Sequence, residues 1–159
     1  MTRPDDLSLD NLRLSAGQRL LGLDLGTKTI GVALSDSGLT VATPLVTLAR
    51  KKRKADIEAL LALAGAHEAA GFILGLPLNM DGSEGPRAQS TRAFGRALRD
   101  ATPLPVIYRD ERLSTAAVTR SLLEADMSRK RRGEVVDKMA AAFILQGALD
   151  YLRHRRARR

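Results

Sequence analysis

The order of apolar segments along this 159-residue chain constrains its fold more than any other feature of the sequence. Three short strand-like segments follow one another within residues 19–48 and are joined by links rich in turn residues, which predicts an antiparallel meander. After them, apolar runs of strand length alternate with segments in which apolar residues recur at helical spacing. Because helical crossovers make successive strands parallel, the sequence predicts an α/β fold: a five-stranded mixed sheet, three antiparallel strands then two parallel ones, flanked by helices.

The same pattern places the individual elements. Strands are predicted at RLLGLDLG, IGVALSD, VATPLVTL, GFILGLP and VIYRDE, and helices at residues 56–70 (ended by Gly71), at residues 86–98, from Ser114 or Thr115 to Leu122, and at residues 134–152. A charged, flexible link is predicted at residues 127–133. Residues 1–17 are predicted to be a polar extension and residues 153–159 a basic tail, on either side of one domain over residues 18–152. This succession of strands and helices is that of ribonuclease H-like folds.

Composition narrows the class of protein. The chain has no cysteine, which excludes disulfides, thiolate metal sites and a cysteine nucleophile and favours a reducing compartment. Its first residues contain no apolar segment of the kind found in secretory signals, and its longest helical apolar stretch is too short to span a bilayer. We therefore expect a cytoplasmic protein without a membrane partner.

Positive charge is concentrated in three runs. The net charge is +8, and Lys and Arg cluster at residues 50–54, 129–132 and 153–159. Any one run is explained equally well as a solvated face or a solubilising tail. Three in one small domain favour a polyanionic partner, because cationic patches release counterions from phosphates. Since aromatic residues make up only 3% of the chain, we expect nucleic acid to be bound through its backbone or duplex shape.

Two carboxylates occur where burial is expected. Period-two alternation in the first strand places Asp24 on one face with Gly22 and Gly26, which leaves room for a metal and a phosphate. In the last predicted helix, Asp137 shares a face with small and apolar residues and should point toward the sheet. These residues are Ala140, Ala141, Ile144 and Ala148.

A third carboxylate is expected from Asp110 or Glu111, which are adjacent at the end of a predicted strand. Alternation sends the two to opposite faces, so only one can join Asp24, and periodicity does not choose between them. Three acids facing one point would suit Mg²⁺ or Mn²⁺, and paired metals of this type promote phosphodiester hydrolysis. Each acid also has an ordinary explanation, as a turn residue, a solvated strand end or a partner of a helix dipole. Only their joint pattern favours a site.

Four segments together resemble the YqgF family, Holliday-junction-resolvase-like nucleases implicated in maturing the precursor of small-subunit ribosomal RNA. They occur in the family's order: LGLDLGTKTIGVALSD (21–36), ILGLPLNMDGSEGPRAQSTRAF (73–94), YRDERLSTAAV (108–118) and VVDKMAAAFILQGALDYL (135–152). The resemblance implies a ribonuclease H-like hydrolase, an endonuclease dependent on Mg²⁺ or Mn²⁺ that acts in 5′-end maturation of precursor 16S ribosomal RNA. It also implies catalytic, metal-binding roles for Asp24, Glu111 and Asp137, and so selects Glu111 over Asp110.

The resemblance further implies substrate contacts, chiefly in the glycine-rich loop NMDGSEGPR, where glycines let backbone amides approach a phosphate. The expected substrate-binding residues are Lys28, Gly82, Ser83, Arg87, Arg112 and Ser114. Arg112 and Ser114 would orient Glu111 or contact nucleic acid, although Ser114 is equally explained as a helix cap. Thr29 stands where many family members have Arg, so one basic contact is expected to be missing.

Three other functions stay open. A Holliday junction resolvase would cut branched DNA and act as a homodimer, whereas the RNA nuclease could be a monomer. A non-catalytic protein could keep the fold and bind ribosomal RNA or a ribosome precursor without cutting. The segment LDLGTKTIGVALSD also resembles the first phosphate loop of sugar kinases and actin-like ATPases, but those proteins close two such domains around a nucleotide, and 159 residues suffice for one.

Overall fold

A five-stranded mixed sheet forms the centre of the molecule. The computed structural model describes residues 8–113 and 129–157, with side chains in the last helix from residue 137 onward. Its elements are β1 (Arg19–Leu25), β2 (Thr29–Ser35), β3 (Ala42–Ala49), α1 (Arg53–Ala66), β4 (Ala69–Leu76), α2 (Pro86–Ala101), β5 (Val106–Asp110) and α3 (Arg129–Ala157). The strand order is β3-β2-β1-β4-β5, antiparallel from β3 to β1 and parallel from β1 to β5. The predicted mixed sheet is confirmed.

The three α-helices that the structure describes differ from their predicted bounds: α1 begins at Arg53 instead of Asp56, and α2 ends at Ala101 instead of Leu98. Helix α1 ends at Ala66, and Glu68 reverses the chain with a φ of 56°, so that Gly71 lies within β4 instead of ending the helix. Helix α3 begins at Arg129, inside the predicted link, and continues to Ala157, inside the predicted tail. Arg and Lys are good helix formers, which explains why basic sequence continues the helix at both ends. The helix predicted from Ser114 or Thr115 to Leu122 lies outside the described residues.

The sheet separates two apolar cores. One core lies between the sheet and helices α1 and α2 and includes the strand residues Leu23, Leu25 and Leu74. The other core lies between the opposite face of the sheet and α3 and includes Ile73 and Ile107. Neighbouring residues of β1, β4 and β5 therefore belong to different cores, as the pleat requires. Within the described residues, no helix is long and apolar enough to cross a membrane.

Part of the predicted polar extension belongs to the core under α3. Leu9 and Leu12 are buried against this helix, with Leu9 in a short 3-10 helix, Leu9–Asn11. The Tyr151 hydroxyl donates a hydrogen bond to Asp10 over 2.7 Å, and Arg155 donates to the Leu9 carbonyl over 2.7 Å. The segment after residue 8 is thus held on the carboxyl-terminal half of α3.

Helix α3 lies unusually close to β1 and β2 because glycines face it. A Cβ placed on Gly22 would lie 2.6 Å from Leu145 Cβ, and one placed on Gly31 would overlap the backbone carbonyl of Asp137. Real Cβ atoms do not approach other heavy atoms so closely, so both positions depend on the absence of a side chain. The glycines set how near Asp137 comes to the sheet.

Candidate functional site

Asp24 is a buried carboxylate on the sheet face covered by α3. It is 1% exposed. Its neighbours in sequence, Leu23 and Leu25, belong to the core under α1 and α2, so alternation directs Asp24 to the opposite face. Asp24 is also paired in register with Gly31, and directly opposed residues of antiparallel strands share a face. Since Gly31 contacts the backbone of Asp137, Asp24 lies beneath the same part of α3.

Asp137 lies above the turn between β1 and β2. This turn is closed by a hydrogen bond of 2.8 Å from the Gly26 amide to the Thr29 carbonyl. The Thr29 hydroxyl donates a hydrogen bond to Asp137 Oδ2, and a Cβ placed on Gly26 would lie 3.5 Å from that oxygen. The Asp137 carboxylate is therefore held at the carboxyl end of β1, near Asp24. Thr29, which sequence reasoning treats only as a lost basic contact, orients this carboxylate.

Glu111 reaches the same face from β5. It begins a short 3-10 helix, Glu111–Leu113, directly after the strand. Its Oε1 lies 3.0 Å from where a Cβ on Gly75 would be, and that Cβ would also meet Ile144 of α3. Gly75 follows Leu74, which pairs with Leu23, so Glu111 meets the sheet at the level of Asp24. The absence of a side chain at Gly75 makes room for the Glu111 carboxylate.

Asp110 is engaged elsewhere. The Arg112 guanidinium binds both of its carboxylate oxygens, at 2.7 Å from Nη2 to Oδ2 and 3.1 Å from Nε to Oδ1, and the Arg112 amide donates to Oδ1 over 2.9 Å. Hydrogen bonding from the Arg112 side chain holds the pKa of Asp110 below its usual value, against a smaller opposing effect of burial. Arg112 also donates to the Met80 carbonyl over 3.1 Å, which ties the end of β5 to the loop after β4. Thus Glu111, and not Asp110, has its carboxylate beside β4 at the level of Asp24.

We expect Arg112→Gln to raise the pKa of Asp110 toward its ordinary value of about 3.9, because the cation and its hydrogen bonds are lost. A lowered folded-state pKa stabilises the fold at pH values above the unfolded pKa, and this contribution disappears as pH falls through the folded pKa. The variant should therefore lose less stability on acidification than the wild type. Carboxyl NMR titration measures the pKa directly. Arg96→Gln is the matched control, and an unchanged Asp110 titration in Arg112→Gln would contradict the pairing.

Three of the expected substrate-binding residues come together in or beside the loop between β4 and α2. The loop is closed by hydrogen bonds of 2.9 Å from the Asn79 amide to the Ser83 carbonyl and from the Gly82 amide to the Asn79 carbonyl. Gly82 has a φ of 89°, a conformation that favours glycine, and a Cβ there would lie 3.5 Å from Arg112 Nη2. The Ser83 hydroxyl donates to Asp81 Oδ1 over 2.6 Å. The loop is thus shaped by its own polar groups and by Arg112.

The remaining expected substrate-binding residues lie apart from that loop. Lys28 is exposed in the turn between β1 and β2. Arg87 is exposed in the first turn of α2. Ser114 lies outside the described residues. Lys28 and Arg87 are available to a ligand at the carboxyl end of β1, whereas Arg112 already binds Asp110.

The donor chemistry and space at the three carboxylates fit a divalent cation. Asp24, Glu111 and Asp137 offer hard oxygen donors from three separate elements on one sheet face. Gly26 and Gly75 leave the adjoining volume open, since a Cβ on either would approach an acid oxygen. Among the described residues, no three acidic or histidine side chains lie close enough together, as placed, to hold a metal. The fold therefore brings the three carboxylates to one face of the sheet. To bind one cation together, the three side chains would have to move closer to one another.

Gly31 and Gly75 border the candidate site and were not among the residues expected there from the sequence. A signal for them exists, because glycine inside an apolar strand often marks a close approach of backbone or ligand. Thr29 had no such signal, since its bond to Asp137 joins residues far apart in the chain.

Sequence comparison identifies close relatives of this chain. The family model described as "RuvX: Holliday junction resolvase" matches residues 18–151. A protein of Rhodobacter capsulatus is 63% identical over 135 residues, covering 85% of each chain. A protein of Rhodospirillum rubrum is 61% identical over 144 residues, covering 90% of this chain and 89% of its own. Both carry the name "Putative pre-16S rRNA nuclease".

Structural comparison finds the same architecture in Holliday junction resolvases. The T. thermophilus RuvC structure, in complex with a Holliday junction substrate, has a TM-score of 0.54 at 9% identity and covers 88% of this chain and 96% of its own. The yeast mitochondrial resolvase Ydc2 has a TM-score of 0.53 at 11% identity, covering 94% and 85%. At such low identities the likeness concerns the fold, and it confirms the predicted ribonuclease H-like class.

Proposed function

We propose that this chain, which belongs to the RuvX family of Holliday junction resolvases, is a metal-dependent endonuclease that hydrolyses phosphodiester bonds in structured RNA. The observation that carries the proposal is the placement of Asp24, Glu111 and Asp137 on one sheet face, with glycines leaving space beside two of them. The names of the two relatives support precursor 16S ribosomal RNA as substrate. Within that substrate we propose maturation of the 5′ end, in the cytoplasm.

The three carboxylates would hold Mg²⁺ or Mn²⁺, with Asp24 and Asp137 sharing the metals and Glu111 completing the set. When bound, such ions activate water and neutralise charge on the leaving oxygen. The chain's own residues position these ligands: Thr29 fixes one oxygen of Asp137 by hydrogen bonding. Burial of Asp24 under α3 strengthens its electrostatic interaction with a cation, since water is excluded there.

The distribution of basic residues supports nucleic acid binding at this end of the sheet. Residues 129–132 occupy the first turns of α3, about 8–12 Å along the helix from Asp137. Residues 50–54 follow β3, whose last residue, Ala49, pairs with Thr29 beside the carboxylates. By contrast, residues 153–157 lie at the far end of α3, where Arg155 contacts Asp10 and Leu9. Two of the three basic runs thus flank the proposed site.

A four-way DNA junction is the second candidate substrate, and the description of the matching family model favours it. A resolvase must cut two strands related by two-fold symmetry, which requires two active sites and therefore a dimer. An RNA nuclease makes no such demand.

The experiment that tests the proposal compares the two substrates under controlled metal. Protein stripped with EDTA is supplied with Mg²⁺, Mn²⁺ or neither, and incubated with labelled precursor 16S RNA or a labelled four-way DNA junction. We expect cleavage of the RNA only with a divalent ion, and loss of cleavage when EDTA is restored. Cleavage of the junction alone would favour the second candidate. Absence of metal-dependent cleavage of either would overturn the proposal, and binding without cleavage would then point to a non-catalytic RNA-binding protein.

A further inference from the structure

A small cavity on the opposite side of the β1–β2 turn from the carboxylates has a cationic lining. It lies between this turn, the end of β3 and the start of α2. Its lining residues are Leu25, Gly26, Thr27, Arg50, Arg87, Ser90 and Thr91. None of these residues, all within the described part of the chain, is acidic. The lining therefore combines two guanidinium groups with hydroxyl donors and suits an anion.

Arg50 is fixed at the cavity before any ligand arrives. Its Nη1 donates a hydrogen bond of 2.8 Å to the Gly26 carbonyl, and its guanidinium lies 5.8 Å from the centre of the Phe94 ring. Among the side chains that the structure describes, those of residues 8–113 and 137–157, no carboxylate pairs with it. A guanidinium has five N–H donors, so most remain available after the bond to Gly26. Because the side chain is already held, little ordering entropy is lost when it binds an anion.

The start of α2 adds positive electrostatic potential to the cavity, and its first turn has no negative charge to offset it. Pro86 is the first helical residue, Gly85 provides no side-chain cap, and the first turn contains no acidic residue. Arg87 stands in this turn, where a cation is disfavoured by the positive end of the helix dipole. Thr91, 4% exposed, adds a buried polar side chain to the lining. An anion in the cavity would relieve the repulsion between Arg87 and the helix end.

Resting on the proposed nuclease function, we propose that this cavity binds a backbone phosphate of the substrate strand next to the phosphate that is cleaved. Gly26 connects the two locations: it lines the cavity, and a Cβ on it would lie 3.5 Å from Asp137 Oδ2. A single strand crossing the β1–β2 turn passes one phosphate to the carboxylates and a neighbouring one to Arg50 and Arg87. Binding of the second phosphate fixes the position of the strand over the carboxylates.

The salt dependence of RNA binding by the Arg87→Gln variant tests whether the cavity binds a phosphate. Arg87 is exposed, so the variant should fold, which a thermal melt checks. Binding of a fluorescent RNA hairpin is measured in EDTA over a range of salt concentrations. We expect affinity to fall about tenfold, as for loss of one charged hydrogen bond, and the slope of log K against log salt to fall by about one. Arg96→Gln, the same change on an exposed residue of α2 away from the cavity, should leave both nearly unchanged. Equal effects in the two variants would overturn the proposal.

Replacing the phosphates of the RNA one at a time with an uncharged analogue identifies the phosphate that binds in the cavity. Methylphosphonate is introduced at one linkage at a time, and binding is measured in EDTA for the wild type and for Arg87→Gln. We expect one linkage at which neutralisation weakens RNA binding by the wild type but does not weaken binding by Arg87→Gln any further. Cleavage mapping should place this linkage beside the cut. Additive effects at every linkage would contradict the cavity contact. Because the binding measurements need no cleavage, a failure of the nuclease proposal would be seen separately, as intact RNA in the presence of metal.

Discussion

Asp24→Asn is expected to abolish metal-dependent cleavage while leaving the fold intact. Asparagine has nearly the same shape as aspartate but lacks its charge, so a ligand of the proposed cation is lost without opening a cavity under α3. We expect the cleavage rate to fall at least about a hundredfold, the scale seen when one major electrostatic contribution to a transition state is removed. Single-turnover cleavage of the preferred substrate at saturating Mg²⁺ or Mn²⁺ measures the effect.

A stability measurement separates this result from misfolding. In EDTA, removing one buried negative charge beside other carboxylates should leave the thermal midpoint unchanged or raise it, because like charges repel. Adding Mn²⁺ should stabilise the wild type through binding to the folded state, and should stabilise Asp24→Asn much less. Asp100→Asn, on the exposed end of α2, is the matched control and should behave as the wild type. Full activity in Asp24→Asn would exclude the carboxylate site as the source of cleavage.

Gly31→Ala is expected to cause the largest loss of stability among single methyl additions to the sheet. Its new Cβ would overlap the carbonyl of Asp137, which is backbone and cannot move as a side chain can. Overpacking of this kind costs about 3 kcal/mol in the free energy of unfolding, at the upper end of the usual range. Activity should fall as well, because α3 must shift and carry Asp137 away from Asp24. Urea denaturation measures the stability, and the cleavage assay in the remaining folded protein measures the activity.

Gly65→Ala is the matched control for that variant. Gly65 lies in α1, and a Cβ placed there has nothing within 4 Å. Alanine should stabilise this helix by about 0.5–1 kcal/mol, because glycine loses more backbone entropy on folding. If Gly31→Ala were as stable as the wild type, α3 could not be seated on β2 as described.

Periodicity was sufficient to predict the sheet and the position of two acids, because both depend on local alternation. Asp24 faces away from Leu23 and Leu25, and Asp137 lies on the side of α3 that meets the sheet, as predicted. The choice between Asp110 and Glu111 was beyond periodicity, since it depends on which face α3 covers. Family resemblance made that choice, and the family match over residues 18–151 confirms the resemblance itself. The roles of the three acids stay a prediction.

Features that depend on contacts distant in sequence could not be read from the chain. Thr29 reaches Asp137 across most of the domain, and Leu9 is buried only because α3 passes over it. The end of α1 was misplaced for a local reason: Glu68 adopts a left-handed conformation that usually signals glycine. In each case the tertiary fold or an uncommon backbone conformation overrode the pattern.

The closed turn from Gly26 to Thr29 has a consequence for how a substrate would be selected. Its main-chain hydrogen bond joins Gly26 to Thr29, and these two residues bind the Arg50 guanidinium on one side and the Asp137 carboxylate on the other. Because both side chains are bound to the same short turn, the distance between the two phosphate positions has little freedom to vary. Given the two proposals above, the cut is then placed by counting linkages along the strand, whatever bases those linkages join.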